Sequence, residues 1–288
     1  MTTEMSLFRP EHYLKPNSLN EASEFLLKYG GSRVIAGGTD LLVEKNPNVR
    51  ALVDISNLGL DYIESGNGIV KIGACTSFRR IEKDGTLRRE CLSLVEAART
   101  IGGIAIRNEA TIGGNVCNAV PSADSLPPLI TQDCKVKIFS RNGERIVPLE
   151  GFFQHVRKTL LNNGELVTEF QIPNLAPHSG VCFLKLGRSS DDIAIVNVAA
   201  RVTLGVGRGV DVVRIVLGAV APVPLRARKA EAKILKEGRD AILEAATSAA
   251  EETKPISDHR ASASYRREMS KVLTKRALQT AFERAEAK

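Results

Sequence analysis

Two glycine pairs, Gly37-Gly38 and Gly113-Gly114, constrain this 288-residue chain more than any other feature. The first stands in Val34-Ile35-Ala36-Gly37-Gly38-Thr39-Asp40-Leu41. There an apolar run reads as a buried strand that breaks at the glycines and gives way to Thr-Asp, a helix N-cap signal. The second stands in Thr111-Ile112-Gly113-Gly114-Asn115, with Asn118, Pro121 and Asp124 downstream, and reads as another turn, flanked by a hydroxyl and a carboxamide. Paired glycines let the backbone turn sharply and approach a ligand with no Cβ in the way. Amides freed at such turns point outward and attract anions. Two such turns facing each other suit a diphosphate, which carries two charged groups. Neither segment matches G-x-G-x-x-G or G-x-x-x-x-G-K-S/T, which disfavours the Rossmann and P-loop readings.

The surrounding pattern mixes helices and strands. Ser18-Leu19-Asn20-Glu21 carries the capping-box spacing, and Ala22, Phe25 and Leu26 continue it at helical period up to Gly30-Gly31. A helical turn or two follows Gly38, then a strand around Leu52–Ile55. Strands near Tyr62–Glu64 and Ile69–Ile72 flank Gly66-Asn67-Gly68, a hairpin signal. Helical patterns at Ser77–Lys83 and Cys91–Thr100 precede a glycine-rich stretch from Gly102 to Asn115. Pro127-Pro128 marks a helix start, and strands are expected over Lys135–Phe139, Glu144–Val147 and Leu166–Ile172. Asn174–Gly180 clusters turn formers and reads as a linker. Beyond it, Cys182–Leu186, Val198–Val206 and Val210–Leu217 read as antiparallel strands, and Ala227–Lys236, Arg239–Thr253 and Tyr265–Ala287 as helices. On the last helix Tyr265, Met269, Val272, Leu273, Ala277 and Ala281 form the apolar face, with Arg266, Arg267, Lys271 and Lys275 outside it. The expected domains are residues 1–56, 57–177 and 178–288.

Composition narrows the function. The five cysteines are odd in number and widely spaced, with no C-x-x-C, and the four histidines are scattered, so no metal site and no disulfide framework is expected. The net charge of +7 comes without a basic block interleaved with aromatics and without tryptophan, which argues against nucleic acid and suits a diphosphate or an acidic partner. No stretch approaches the length of a membrane helix, and Met1–Met5 lacks an apolar leader core, so the cytoplasm is the expected location. On residues alone the reading ends at an αβ protein with two glycine turns that cradle an anion.

Taken together, Ala36–Asp40 and Thr111–Asn115 resemble the two FAD-binding motifs of the molybdenum hydroxylase flavoprotein family. That family includes the carbon monoxide dehydrogenase medium subunit and the xanthine dehydrogenase flavin domain. Two further segments are similar to the family's: Phe183–Arg188 followed by Asp191-Asp192-Ile193-Ala194, and Ser264-Tyr265-Arg266-Arg267 before the closing helix. The likeness covers nearly the whole chain in the right order. It implies an α+β fold, the FAD-binding fold of the vanillyl-alcohol-oxidase (PCMH) type, with a C-terminal antiparallel sheet and helix bundle. Carried over by position, Val34, Ile35, Ala36, Gly37, Gly38, Thr39, Asp40 and Leu41, with Thr111, Ile112, Gly113, Gly114 and Asn115, would contact the pyrophosphate. Asp124 would bind the adenosine side or organise its loop, and Ile101 and Val167 would make apolar adenine-side contacts. Lys185 would approach the flavin edge and Ile193 would pack on the isoalloxazine face. At Ile193 the chain departs from the carbon monoxide dehydrogenase branch, which typically has tyrosine, and resembles the xanthine dehydrogenase branch. It also lacks the cysteine-rich loop of the branch resembling 4-hydroxybenzoyl-CoA reductase.

The resemblance implies an oxidoreductase subunit with FAD on this chain and no catalytic acid, base or nucleophile of its own. Molybdopterin-molybdenum would sit on a large partner subunit and two 2Fe–2S clusters on a small one, in a dimer of three-subunit units. NAD or a quinone would accept the electrons. Two other readings stand beside it: a stand-alone FAD oxidase of a small molecule, and a non-enzymatic anion-binding scaffold whose glycine turns are structural.

Overall fold

A computed structural model describes residues 8–207 and 209–287; the Met1–Met5 reading falls outside them. The N-terminal lobe begins with β1 (His12–Leu14) and α1 (Leu19–Lys28). The capping expectation at α1 is met: Ser18 Oγ accepts from the Glu21 amide, while the Glu21 carboxylate accepts from the Asn17 amide. Then come β2 (Ser32–Ile35), α2 (Leu41–Glu44) and β3 (Ala51–Asp54), which form a parallel sheet in the order β1-β3-β2. Strand β2 is therefore an edge. Its expected burial is not observed: Val34 is 37% exposed, because only β3 has neighbours on both sides and the open flank of β2 borders a cleft.

The second lobe is built on a five-stranded antiparallel sheet in the order β4-β5-β10-β6-β7. Its strands are β4 (Ile63–Gly66), β5 (Ile69–Gly73), β6 (Lys135–Ser140), β7 (Gly143–Pro148) and β10 (Leu166–Pro173). The β4–β5 turn is Asn67-Gly68, with φ of 51° and 74°, the left-handed pair that a two-residue hairpin needs. Six short helices complete the lobe: α3 (Phe78–Lys83), α4 (Gly85–Glu90), α5 (Leu92–Arg99), α6 (Ile104–Glu109), α7 (Ile112–Asn118) and α8 (Leu126–Thr131), and all but α6 bury side chains in a common core with the sheet. Phe78, Leu94, Ile112, Leu126, Ile138 and Phe170 are among its fully buried side chains. A small hairpin, β8 (Phe153–His155) and β9 (Lys158–Thr159), stands apart from that sheet. Ser23 Oγ of α1 donates to Gly164 O at 2.7 Å and so ties the two lobes.

The C-terminal domain is an antiparallel sheet of β11 (Ser179–Leu186), β12 (Val196–Leu204), β13 (Val210–Gly218) and β14 (Leu225–Arg226), covered by α9 (Arg228–Glu237), α10 (Ile242–Glu252) and α11 (Ala263–Glu286). The linker shortens to residues 174–178 because β11 already begins at Ser179. One sheet face meets the helices around Val198, Ile215, Ala245 and Phe282. The other meets the second lobe: Phe183 and Ala199 close on Ala97, and Val216 joins that lobe's core. Helix α11 corrects the expected face. Arg266 is buried rather than solvated, donating to Ile195 O (2.7 Å) and Ala219 O (3.2 Å) and pairing with Asp258 (2.8 Å), while Tyr265 is exposed. A buried cation needs such partners. Three acceptors, two of them carbonyls at the ends of strands, supply them. Burial would raise the Asp258 carboxyl, but amides of Arg260 and Ala261 and the Arg266 guanidinium hold it well below the usual range.

Candidate functional site

A cleft of about 570 Å³ opens between the two N-terminal lobes. Val34 through Leu41 form one wall, Thr111 and Gly113 through Asn115 another, and Val167 of β10 lies with them. The volume falls within the ordinary range of small-molecule and cofactor sites.

The first glycine pair is built for close approach. A Cβ on Gly37 would lie 1.8 Å from Glu109 O, so the end of α6 presses against a backbone that no other residue can supply. Gly38 holds φ +66°, the left-handed region that favours glycine. Among the described residues, no acceptor faces the N–H groups of Gly37, Gly38, Thr39, Asp40 and Leu41. Five consecutive main-chain donors are thus left to solvent or to a ligand, in line with the expectation for this turn. The expected Asp40 cap is not formed. Its side chain makes no capping bond and instead accepts from Asn118 Nδ2 at 2.8 Å, across the cleft at the end of α7.

The second glycine pair is not a turn. Gly113 and Gly114 lie in the first turn of α7, whose N-cap Thr111 accepts the Gly114 amide on Oγ1 at 3.1 Å. The amides of Ile112, Gly113 and Asn115 donate to Thr76 O, Ala74 O and Thr111 O at 3.0, 2.8 and 3.0 Å. No amide of Ile112–Asn115 is free, so the expectation of outward-pointing donors fails here. Glycine is required for packing instead, since a Cβ on Gly113 would lie 2.5 Å from Ala74 O. Ile112 is fully buried in the core and does not line the cleft. Cys117, later on the same helix, does line it, and burial pushes its thiol up to about 12, which leaves it protonated and inert.

The remaining expected residues gather elsewhere. Lys185 Nζ donates to Thr100 O at 2.7 Å and to Asp124 Oδ2 at 2.8 Å, and Asn197 Nδ2 donates to Asp124 Oδ1 at 2.6 Å. Lys185 and Asp124 are 6% and 5% exposed, so this is a buried ion pair joining the second lobe to the C-terminal sheet. Burial pushes the Asp124 carboxyl up, against the pull of Lys185 and Asn197. Asp124 does not cap α8, which has no side-chain cap. Ile101 follows Thr100 and packs, partly buried, on the second lobe's core, while Ile193 is 46% exposed. A Cβ on Gly103 would lie 3.7 Å from Asp191 Oδ2, which brings the loop carrying Ile193 beside the segment carrying Ile101. None of these four residues lines the glycine cleft. The two groups nonetheless adjoin: Asn115 Oδ1, in the cleft, accepts from Ser125 Oγ at 2.6 Å, and Ser125 follows Asp124.

Several cleft residues had no signal in the sequence. Arg33, Asn46, Arg157, Lys158 and Asn162 all line it. Arg157 sits at the β8–β9 turn with φ +57°, donates to Asn118 Oδ1 at 3.1 Å and pairs with Glu44 of α2 at 2.6 Å. No glycine or proline marks that hairpin, and only the tertiary fold brings it to the cleft. Of the other carboxylates, Glu165 also lines the cleft but is held by Arg145 at 2.8 Å, which keeps it below the usual range.

Comparison with known proteins agrees with this architecture. Residues 6–175 match the family described as the FAD binding domain in molybdopterin dehydrogenase, and residues 182–281 match the CO dehydrogenase flavoprotein C-terminal domain. The chain is 33% identical over 290 residues to a putative xanthine dehydrogenase FAD-binding subunit of Escherichia coli, covering 96% of this chain and 97% of that one. It is 31% identical to the carbon monoxide dehydrogenase medium chain of Hydrogenophaga pseudoflava, over 94% and 97% of the two chains. A solved carbon monoxide dehydrogenase from that organism, lacking the Mo-pyranopterin moiety, superposes with a TM-score of 0.92 at 31% identity, over 96% of this chain and 98% of that one. Quinoline 2-oxidoreductase from Pseudomonas putida superposes at 0.89 with 28% identity, over 98% and 99%. A cleft walled by free glycine amides, the two-lobed α+β frame around it and matches to both family models lead to one conclusion: this chain belongs to the FAD-binding subunits of the molybdopterin dehydrogenases, an oxidoreductase family.

Proposed function

We propose that this chain seats FAD in the glycine cleft and relays electrons from 2Fe–2S clusters of a small partner subunit to an external acceptor, NAD or a quinone. The observation that carries the reading is the run of five unpaired amides from Gly37 to Leu41, held against the second lobe by a glycine that tolerates no side chain. Main-chain donors so arranged hydrogen-bond a diphosphate without the entropy cost of ordering side chains. Thr39 and Asn115 add polar groups to the same cleft. Ala36, Ile35 and Val167 supply apolar surface to the cofactor. The flavin end lies toward the junction where Lys185 and Ile193 gather, next to Asn115 through Ser125, which brings Ile101 and Asp124 to the flavin side rather than to the expected adenosine side. There Ile193 offers an exposed apolar face and Lys185 a buried cation. When bound, the isoalloxazine accepts electrons singly and releases them in pairs, which joins iron–sulfur centres to a two-electron acceptor.

No residue of this chain is assigned a catalytic acid, base or nucleophile role. Substrate would be oxidised at molybdopterin-molybdenum on a large subunit, in a dimer of three-subunit units working in the cytoplasm. Among the described residues no helix is long and apolar enough to cross a membrane. The test is untagged co-purification followed by flavin, molybdenum and iron analysis. Stoichiometric flavin with both metals in a three-subunit complex supports the proposal. Flavin on an isolated chain that turns over a small molecule would replace it with an oxidase, and a colourless preparation that takes up no added FAD would end it.

A further inference from the structure

We infer that Arg157 is the side chain that recognises the diphosphate in the cleft, and that Glu44 competes with that ligand for its guanidinium. The inference rests on the FAD reading above. The glycine turn offers donors but no positive charge. Of the cations lining the cleft, Arg33, Arg157 and Lys158, only Arg157 is wired to that turn: Asp40, a member of the free-amide run, holds Asn118, and Asn118 holds Arg157. The backbone fixes its root, because Arg157 adopts φ +57° and its N–H donates to Ala119 O at 2.8 Å. Its head is less fixed. The Arg157 and Glu44 side chains are 50% and 35% exposed, and a pair so open to water is weak.

A guanidinium carries five N–H donors in a planar fork that matches phosphate oxygens. One donor serves Asn118 and one serves Glu44, which leaves three with no acceptor among the described residues. Those donors, at the rim of a cleft whose other two carboxylates are already engaged by Asn118 and Arg145, are where a dianion would gain a direct charge contact. Before the ligand arrives, Glu44 at 2.6 Å already offsets part of the guanidinium's charge. Glu44 and the diphosphate are like charges drawn to one cation, so removing the first favours the second.

The test uses the full-length protein stripped of flavin, with FAD binding followed by flavin fluorescence and with ADP and adenosine as competitors. In the unsubstituted protein ADP should displace FAD at lower concentration than adenosine does. Arg157→Ala should shrink that ADP-over-adenosine preference about tenfold or more, as loss of a charge-assisted contact requires. Arg157→Lys should fall between the two. Glu44→Gln should move the other way and tighten ADP severalfold with adenosine unchanged. Thermal unfolding of each variant checks the fold. A preference within twofold of the unsubstituted value in both arginine variants would overturn the inference while leaving the FAD reading intact. So would weaker ADP binding by Glu44→Gln, because a purely structural brace would fail from either end. Failure of the unsubstituted protein to bind FAD would remove the reading itself.

Discussion

The two glycine pairs look alike in sequence and do opposite work. At Gly37-Gly38 five amides are free and the backbone is left-handed at Gly38. At Gly113-Gly114 the amides are all spent, on Ala74, Thr76 and the Thr111 cap, inside a helical turn. Both first glycines are pressed by a carbonyl from elsewhere, Glu109 O at 1.8 Å and Ala74 O at 2.5 Å from a built Cβ. The lesson is that a missing Cβ serves two purposes. One pair exposes donors to the cleft; the other brings a helix close enough to form the cleft's wall.

Substitutions can break this contrast. Gly37→Ala should have the largest effect, losing both FAD and stability. A Cβ at 1.8 Å from a carbonyl oxygen needs a backbone shift that parts the lobes, at more than ~3 kcal/mol, well above the usual overpacking cost. Flavin content and the denaturant midpoint check this. Gly113→Ala should cost about 1–3 kcal/mol of stability. Material that folds should still bind FAD, since no free amide lies there; near-normal stability with lost flavin would erase the distinction. Thr111→Ala removes the α7 cap and should cost about 1 kcal/mol, with Thr111→Ser restoring most of it, read by denaturant unfolding. Asp40→Ala should be the mildest, at or below about 0.5 kcal/mol, because Asp40 caps nothing and its bond to Asn118 is exposed to water. A larger loss there would mean that the bond across the cleft matters more than its exposure implies.

Where a local signal decided a local structure, the sequence was readable. The Ser18–Glu21 cap, the Asn67-Gly68 hairpin and the long strands of the C-terminal sheet follow from residues a few positions apart. The family resemblance then supplied the α+β frame. The failures share one cause. Gly113-Gly114 read as a turn because glycine is a poor helix former, yet Thr111 supplies a cap and Ile112 and Val116 one buried face, and these outweigh the glycines. Val34 read as buried because its edge position depends on strand order. Arg266 read as a surface residue because its three acceptors come from distant segments. Arg157 left no trace at all, since its neighbours Glu44 and Asn118 are brought to it only by folding.

The buried Lys185–Asp124 bridge bears on how this seam can change. Replacing either partner alone would leave the other charge in surroundings only 5–6% open to water, a penalty of roughly 3–5 kcal/mol. Exchanging both together for apolar side chains of similar volume costs far less. The seam therefore admits paired substitutions and resists single ones.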